Sequence, residues 1–321
     1  MKVVITGGAG FLGTLLARRI LSAPVSVGGA AAKEVTELLL VDLFPPMADL
    51  ATDPRVHALT GELDELLDQL GDADLVFHLA GVVSSAAEAD FDLGMHTNVD
   101  GVRALLEWAR SRSVPPVLVF TSSLAVFGAD PAIGPVGEVD DDTMPRPQSS
   151  YGIQKFIGEQ LVADFTRRGY VRGRSVRLMT VAVRPGKPNA AASSFLSGII
   201  REPLAGERSL CPVPPNLPIA LSSPQRTIDG ILRAAEVDDA TWGSRTAMNL
   251  PALTTSPREM AAALDRVAGA GTSDFIEWGH DDGIEAIVGS WPAHFITPRA
   301  EGLGLAAETS FDDIIRAYQA S

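Results

Sequence analysis

Cysteine is almost missing from this chain of 321 residues: the one present, Cys211, excludes an intramolecular disulfide framework and a metal centre built from cysteines. Long apolar runs are missing as well. Stretches such as Leu38 to Val41 fall far short of the ~20 residues that a membrane-spanning helix needs, so no membrane partner is expected. The opening Met1-Lys2-Val3-Val4-Ile5 turns glycine-rich at once and has no long apolar block of the secretory kind, which with the lone cysteine leads us to expect a cytoplasmic protein. Cations are scarce: 26 Lys and Arg stand against 40 Asp and Glu, a net charge of −14, where a nucleic-acid surface needs clustered positive charge. Histidine offers no metal site, because His57, His96, His280 and His294 share no ligand spacing.

What is present is an ordinary globular mixture, 46% apolar and 21% charged, long enough for one large domain with an appendage or for two at a typical ~150 residues each. Short apolar runs (Val3 to Ile5, Leu38 to Val41, Val56 to Leu59, Leu75 to Phe77, Val117 to Phe120) alternate with amphipathic stretches, notably Phe11 to Leu21 and a long helix ending near Arg110. Continuous apolar strands separated by helices imply a parallel sheet buried on both faces, hence an α/β, doubly wound Rossmann architecture. Residues 1–180 are expected to form this unit. After Val181 prolines become frequent and the rhythm fades, so 181–321 reads as a smaller irregular substrate lobe, with a strand near 247–250 returning to the main sheet. Val25 to Lys33 reads as a surface loop. The acidic run at Glu138, Asp140, Asp141 and Asp142 reads as solvated loop rather than metal site.

Thr6-Gly7-Gly8-Ala9-Gly10-Phe11-Leu12-Gly13 follows the first strand and opens the first helix. Glycines at this spacing allow a tight turn, close approach of backbone N–H groups to a pyrophosphate, and contact between helix and strand. Asp42 ends the second strand, where a carboxylate can accept from both ribose hydroxyls and repel a 2′-phosphate; NAD rather than NADP is therefore expected. Glu62 and Leu63 follow the third strand, where a polar group can meet the adenine, and Leu79-Ala80-Gly81 follow the fourth, where small residues let the backbone lie against the cofactor. His78 reads as structural.

Tyr151-Gly152-Ile153-Gln154-Lys155 falls after a proline-rich loop and the capping pair Ser149-Ser150, in the first turns of a helix. Spacing of four puts Tyr151 and Lys155 on one face. A tyrosine of pKa near ~10 is a poor base at neutral pH, but a nearby ammonium and the positive nicotinamide ring favour the phenolate. Thr121-Ser122-Ser123 closes the fifth strand, at the sheet edge where such folds bind ligands.

As an ordered set, the glycine turn, Asp42, His78 to Gly81, Asn98, Thr121 to Ser123, Tyr151 with Lys155, and Arg184-Pro185-Gly186 resemble the extended short-chain dehydrogenase/reductases, which include NAD-dependent sugar epimerases and dehydratases. The resemblance covers nearly the whole chain. It implies Ser123, Tyr151 and Lys155 as the catalytic triad, with Asn98 supporting the site, and it adds Phe11, Leu12 and Val183 to the residues expected at the cofactor. The stretch from Val183 to Ser193 and on through Gly206 narrows it to bacterial dehydrogenases of four-carbon sugar acids. From Arg184 to Arg233 six basic residues face three acidic ones, a local excess that suits an anionic substrate; Arg226 is the first candidate to hold its carboxylate, and Ser84, Ser85 and Asn189 to hold hydroxyls. The expected reaction is NAD-dependent oxidation at C2 of a small sugar acid. The rivals are a nucleotide-sugar epimerase or dehydratase with tightly bound NAD, and a non-catalytic NAD-binding protein; Leu124-Ala125 after Ser123 departs from the dehydratases' Asp-Glu pair. The superfamily also suggests a homodimer through the helix of Tyr151 and that of Gly101 to Arg110, with Leu105, Leu106, Phe156 and Leu161 equally compatible with core packing.

Overall fold

The computed structural model describes residues 1–186 and 191–320. In chain order its first half runs β1 (Lys2–Thr6), α1 (Phe11–Leu21), β2 (Glu37–Asp42), β3 (Val56–Thr60), β4 (Leu75–His78), α2 (Ser84–Ala89), α3 (Phe91–Met95), α4 (Gly101–Arg110), β5 (Val117–Ser123), α5 (Ser150–Arg167) and β6 (Arg172–Leu178). The second half adds β7 (Thr180–Val181), α6 (Phe195–Leu204), β8 (Ser209–Cys211), β9 (Ile219–Ser222), α7 (Pro224–Glu236), β10 (Met248–Asn249), β11 (Leu253–Thr255), α8 (Pro257–Ala268), β12 (Ile276–Trp278) and α9 (Phe311–Gln319).

Among the described residues seven strands form one sheet in the order β10-β6-β5-β4-β1-β2-β3, and each neighbouring pair is parallel. The period-2 geometry of the strands sorts their side chains onto two covered faces. Val3, Ile5, Leu38, Leu40, Phe77 and Val119 pack with Leu16, Ile20, Ile228 and Ile231, whereas Val4, Leu39, Val41, Val76, Leu118 and Phe120 pack with Leu105, Leu106, Trp108 and Val162. Leu105 and Leu106 are therefore core residues, and Leu161 and Phe156 are partly buried against apolar clusters. No helix among the described residues is long and apolar enough to cross a membrane.

Beyond residue 181 the chain divides. Helix α7 covers one face of the large sheet through Ile228 and Ile231, and β10 pairs with β6 at its edge. The rest builds a second body around Leu196, Ile199, Ile200, Met260, Leu264, Ile314 and Ile315, with a three-stranded sheet β11-β9-β7 and the pair β12-β8. The chain beyond residue 181 is more regular than its prolines suggest. Pro224 and Pro257 occupy the first turns of α7 and α8, behind the capping residues Ser223 and Ser256. Proline's missing N–H costs nothing there, so these residues start helices instead of breaking them.

The long helix expected up to Arg110 is also segmented. Between α3 and α4 the residues His96–Asp100 form a wider π turn, which carries Asn98 into the interior at 1% exposure.

Candidate active site

The site begins at the β1–α1 turn. Gly7 has φ +72°, and a Cβ there would lie 2.7 Å from the Ala80 nitrogen. A Cβ on Gly13 would lie 2.1 Å from the Gly7 oxygen, so the first turn of α1 presses directly onto the glycine turn. Helix α1 starts at Gly10 with no side-chain cap. Its first N–H groups and the positive end of its dipole thus face outward without a side-chain acceptor, a cradle suited to a pyrophosphate. Asp42, at the end of β2, accepts from the backbone N–H of Ala9 at 3.0 Å and of Phe44 at 3.2 Å, which fixes its carboxylate beside the turn. These features fit a bound dinucleotide.

A cleft of about 290 Å³ runs from this turn across the carboxyl ends of the strands. It is lined by Gly7, Gly10, Phe11, Leu12 and Gly13 at one end, by Leu79, Gly81 and Ser84 along a side, and by Thr121, Ser122, Ser123, Tyr151 and Lys155 at the other end. Two backbone approaches draw the last group together. The Ser149 hydroxyl caps α5 by accepting from Gly152 N–H at 3.2 Å, and a Cβ on Gly152 would meet the Ala125 oxygen at 2.1 Å. Helix α5 therefore rests on the end of β5, which brings the Tyr151 phenol close to the Ser123 hydroxyl. Lys155 Nζ donates to the Thr121 carbonyl at 3.0 Å and lies 5.8 Å from the Tyr151 ring centroid.

Burial dominates the electrostatics. It lowers the Lys155 ammonium to about 8 and raises the Tyr151 phenol, with Ser123 and the Arg184 guanidinium pulling the phenol back only in part. In the protein alone desolvation outweighs nearby positive charge; the expected lowering rests on Lys155 together with the nicotinamide ring and concerns the complex. His78 is also buried, held down at about 3 and therefore neutral. It shares a 2.6 Å hydrogen bond with Thr6 Oγ1 and lies nearly parallel to the Phe120 ring.

Several expected residues support the cleft from behind. Asn98 clasps the backbone of Val82 from both sides, at 2.9 and 3.0 Å, and donates to Gln154 at 2.8 Å, tying the loop after β4 to α5. Ser122, although it lines the cleft, donates to Glu159 at 2.5 Å. That carboxylate is paired with Arg177, itself within 3.4 Å of Asn249, so β5, α5, β6 and β10 are locked into one buried network. Ala80 N–H donates to Thr6 Oγ1 at 3.3 Å, and Ser84 Oγ accepts from Ala192 N–H at 3.2 Å.

Others lie apart. Arg226 is exposed in the first turn of α7 and does not line the cleft. Ser85 and Val183 do not line it either, and Val183 faces a separate apolar cavity with Pro185 and Ile314. Glu62 is exposed and Leu63 half-buried just past β3; Glu62, Asp64 and His96 each bring a ligand atom within 4.8 Å of the others on the surface, a proximity their linear spacing does not announce. Asn189 lies outside the described residues. In the other direction, the fold brings Met179, Arg184, Ser193 and Trp291 into the cleft wall, none of which the motifs single out as lining it. Arg184 stands in the Arg-Pro-Gly step just past β7, and that step is the one local signal for it.

Comparison with known proteins agrees with this geometry. Residues 3–219 match the NAD dependent epimerase/dehydratase family. The chain is 48% identical over 322 residues to a D-erythronate dehydrogenase of Cupriavidus necator, covering 99% of this chain and 98% of that one. It is 40% identical to a D-erythronate dehydrogenase of Haemophilus influenzae, again over 99% and 98% of the two chains. Among solved structures, a nucleoside-diphosphate-sugar epimerase from Agrobacterium tumefaciens superposes with a TM-score of 0.88 at 36% identity, over 100% of this chain and 94% of the other.

Proposed function

The chain belongs to the NAD dependent epimerase/dehydratase family and is an NAD-dependent oxidoreductase, and from that premise we propose that it oxidises the C2 hydroxyl of a small sugar acid of the D-erythronate type to the 2-oxo acid. The observation that carries the reading is the meeting of Ser123, Tyr151 and Lys155 in one cleft with the glycine turn. Agreement with two relatives named D-erythronate dehydrogenase over nearly their full length supports the substrate class.

The glycine turn, Asp42 and Leu79–Gly81 would hold NAD⁺, which would supply the acceptor for the hydride leaving C2. Ser123 orients the substrate hydroxyl through its own Oγ. Tyr151 Oη takes the hydroxyl proton as the hydride leaves C2, so the C2–H and O–H bonds break and the carbonyl forms. Lys155, fixed by the Thr121 carbonyl, keeps a positive charge beside the phenol, and positive charge bound with the cofactor would act against the burial that raises the phenol in the protein alone. Leu124, Val82 and Val83 add apolar wall to the cleft. Pairing of two copies through the α4–α5 side is supported by exposed Phe91, Leu93 and Ile153 nearby.

The name of the Agrobacterium protein favours a second reading, epimerisation of a sugar nucleotide. Incubation with NAD⁺ and a panel of aldonates, followed by absorbance, separates the two: net NADH formation is expected, and its absence with cofactor turnover hidden on the enzyme points to epimerisation. Tyr151→Phe is expected to lower turnover by at least ~10²-fold with NAD⁺ affinity unchanged; near-normal turnover refutes the base.

A further inference from the structure

The cleft contains a cation whose hydrogen-bonding capacity the mechanism above leaves unused. Its ionisable lining residues are Tyr151, Lys155 and Arg184, and no carboxylate lines it among the described residues. Lys155 is committed to the Thr121 carbonyl. Arg184 is held differently. Its backbone N–H donates to Ser197 Oγ at 3.0 Å, and its carbonyl accepts from Arg201 Nη1 at 2.8 Å. Ser197 and Arg201 stand four residues apart on α6, one helical turn, so a single helix face grips both sides of one peptide position. The side chain then folds back, and its Nε donates to the Val181 carbonyl at 3.2 Å. Both terminal nitrogens are left without a hydrogen bond among the described residues, and the guanidinium is near enough to act electrostatically on the Tyr151 phenol.

A planar fork, half-buried, with its backbone tied to a helix and lining a cleft without acids among the described residues, is built for a carboxylate. In a chain of net charge −14, such a group also selects for an anion that the molecule as a whole repels. We propose that Arg184, and not Arg226, binds the carboxylate of the substrate, and that Ser197 and Arg201 of α6 act as positioning residues that hold it. This deepens the dehydrogenase reading and rests on it. With the carboxylate on Arg184 and the adjacent hydroxyl between Ser123 and Tyr151, the acid enters in one orientation, which accounts for attack at C2 rather than at a more distant hydroxyl.

The test is calorimetric binding to the protein saturated with NADH, a complex that cannot turn over, with D-erythronate and its neutral amide as probes. The wild type is expected to prefer the acid by about 10²-fold, and Arg184→Met to abolish that preference through loss of acid affinity alone, with amide and NADH affinities held. Arg184→Lys should keep a part of it. Should Arg184→Met fail to fold, Ser197→Ala and Arg201→Met, which leave the guanidinium in place, are expected to weaken the acid about tenfold more than the amide, with Arg201→Lys restoring some of the difference. A preference that survives these changes, equal losses for acid and amide, loss of NADH affinity in the arginine variant, or no acid binding by the wild type each overturns the assignment. Acid binding that depends on Arg184, without NADH formation in the aldonate panel, instead overturns the dehydrogenase reading and leaves the carboxylate site standing.

Discussion

The two ends of the cleft are made in different ways. At the dinucleotide end the chain is nearly contiguous: β1, the glycine turn and α1 span residues 2–21, and the backbone itself forms the binding surface, with Asp42 as the one anchored carboxylate. At the substrate end side chains converge from Ser84, Ser123, Tyr151, Arg184 and Trp291, more than 200 residues apart, and their meeting depends on β7, α6 and the loops of the second body. A surface built from backbone has to exclude side chains, and that requirement is visible as glycine. A surface built from distant side chains leaves no spacing to read.

This contrast can be broken most sharply at Gly13. A methyl group there would stand 2.1 Å from the Gly7 oxygen, so Gly13→Ala is expected to displace the turn, lower the melting temperature and weaken NAD⁺ by at least ~10²-fold. Gly10→Ala, whose added carbon meets only the Gly7 oxygen at 3.2 Å, should leave the melting temperature near that of the wild type. Equal thermal losses in the two variants would show that the turn is not set by backbone contact.

His78 lies on the seam, joined to Thr6 of β1 on one side and close to Lys155 on the other. Its pKa is depressed in the folded protein to about 3, against about 6.5 for a free imidazole. The unfolded chain takes up a proton as pH falls below 6.5 and the folded one does not, so stability present above that value is lost progressively down to about 3, by on the order of 4 kcal/mol. Denaturation midpoints measured over this range should fall less steeply in His78→Gln than in the wild type; parallel curves would remove His78 from the account.

The smallest effect is expected at Asp42. Asp42→Ala should weaken NAD⁺ by about tenfold and narrow its advantage over NADP⁺, measured as the ratio of kcat/KM values, because one of several contacts is lost while the glycine turn stays intact. An unchanged ratio would take cofactor choice away from this carboxylate.

The same contrast governs what the sequence discloses. The parallel sheet is legible because both faces of its strands are covered, giving unbroken runs such as Leu38 to Val41. The Tyr151–Lys155 pair is legible because four residues make one helical turn. The chain beyond residue 181 is harder to read, since Ser223-Pro224 and Ser256-Pro257 look like breaks and in fact cap and open helices. Charge counting finds a basic segment but not which arginine lines the cleft; that Arg184 does so and Arg226 does not depends on the fold, including the hydrogen bonds of Ser197 and Arg201 to the Arg184 backbone. The direction of the Tyr151 shift in the protein alone is hidden for a related reason. Proximity of a lysine can be inferred from spacing, whereas the degree of burial that outweighs it comes from the whole fold.

The central claim is that this cleft removes a hydride from C2 of a small sugar acid. Its most direct test is oxidation of D-erythronate carrying deuterium at C2 only, with mass analysis of the reduced cofactor. The account predicts that the deuterium appears in the NADH formed. Unlabelled NADH, with the deuterium retained in the product, would place the chemistry at another carbon and contradict it.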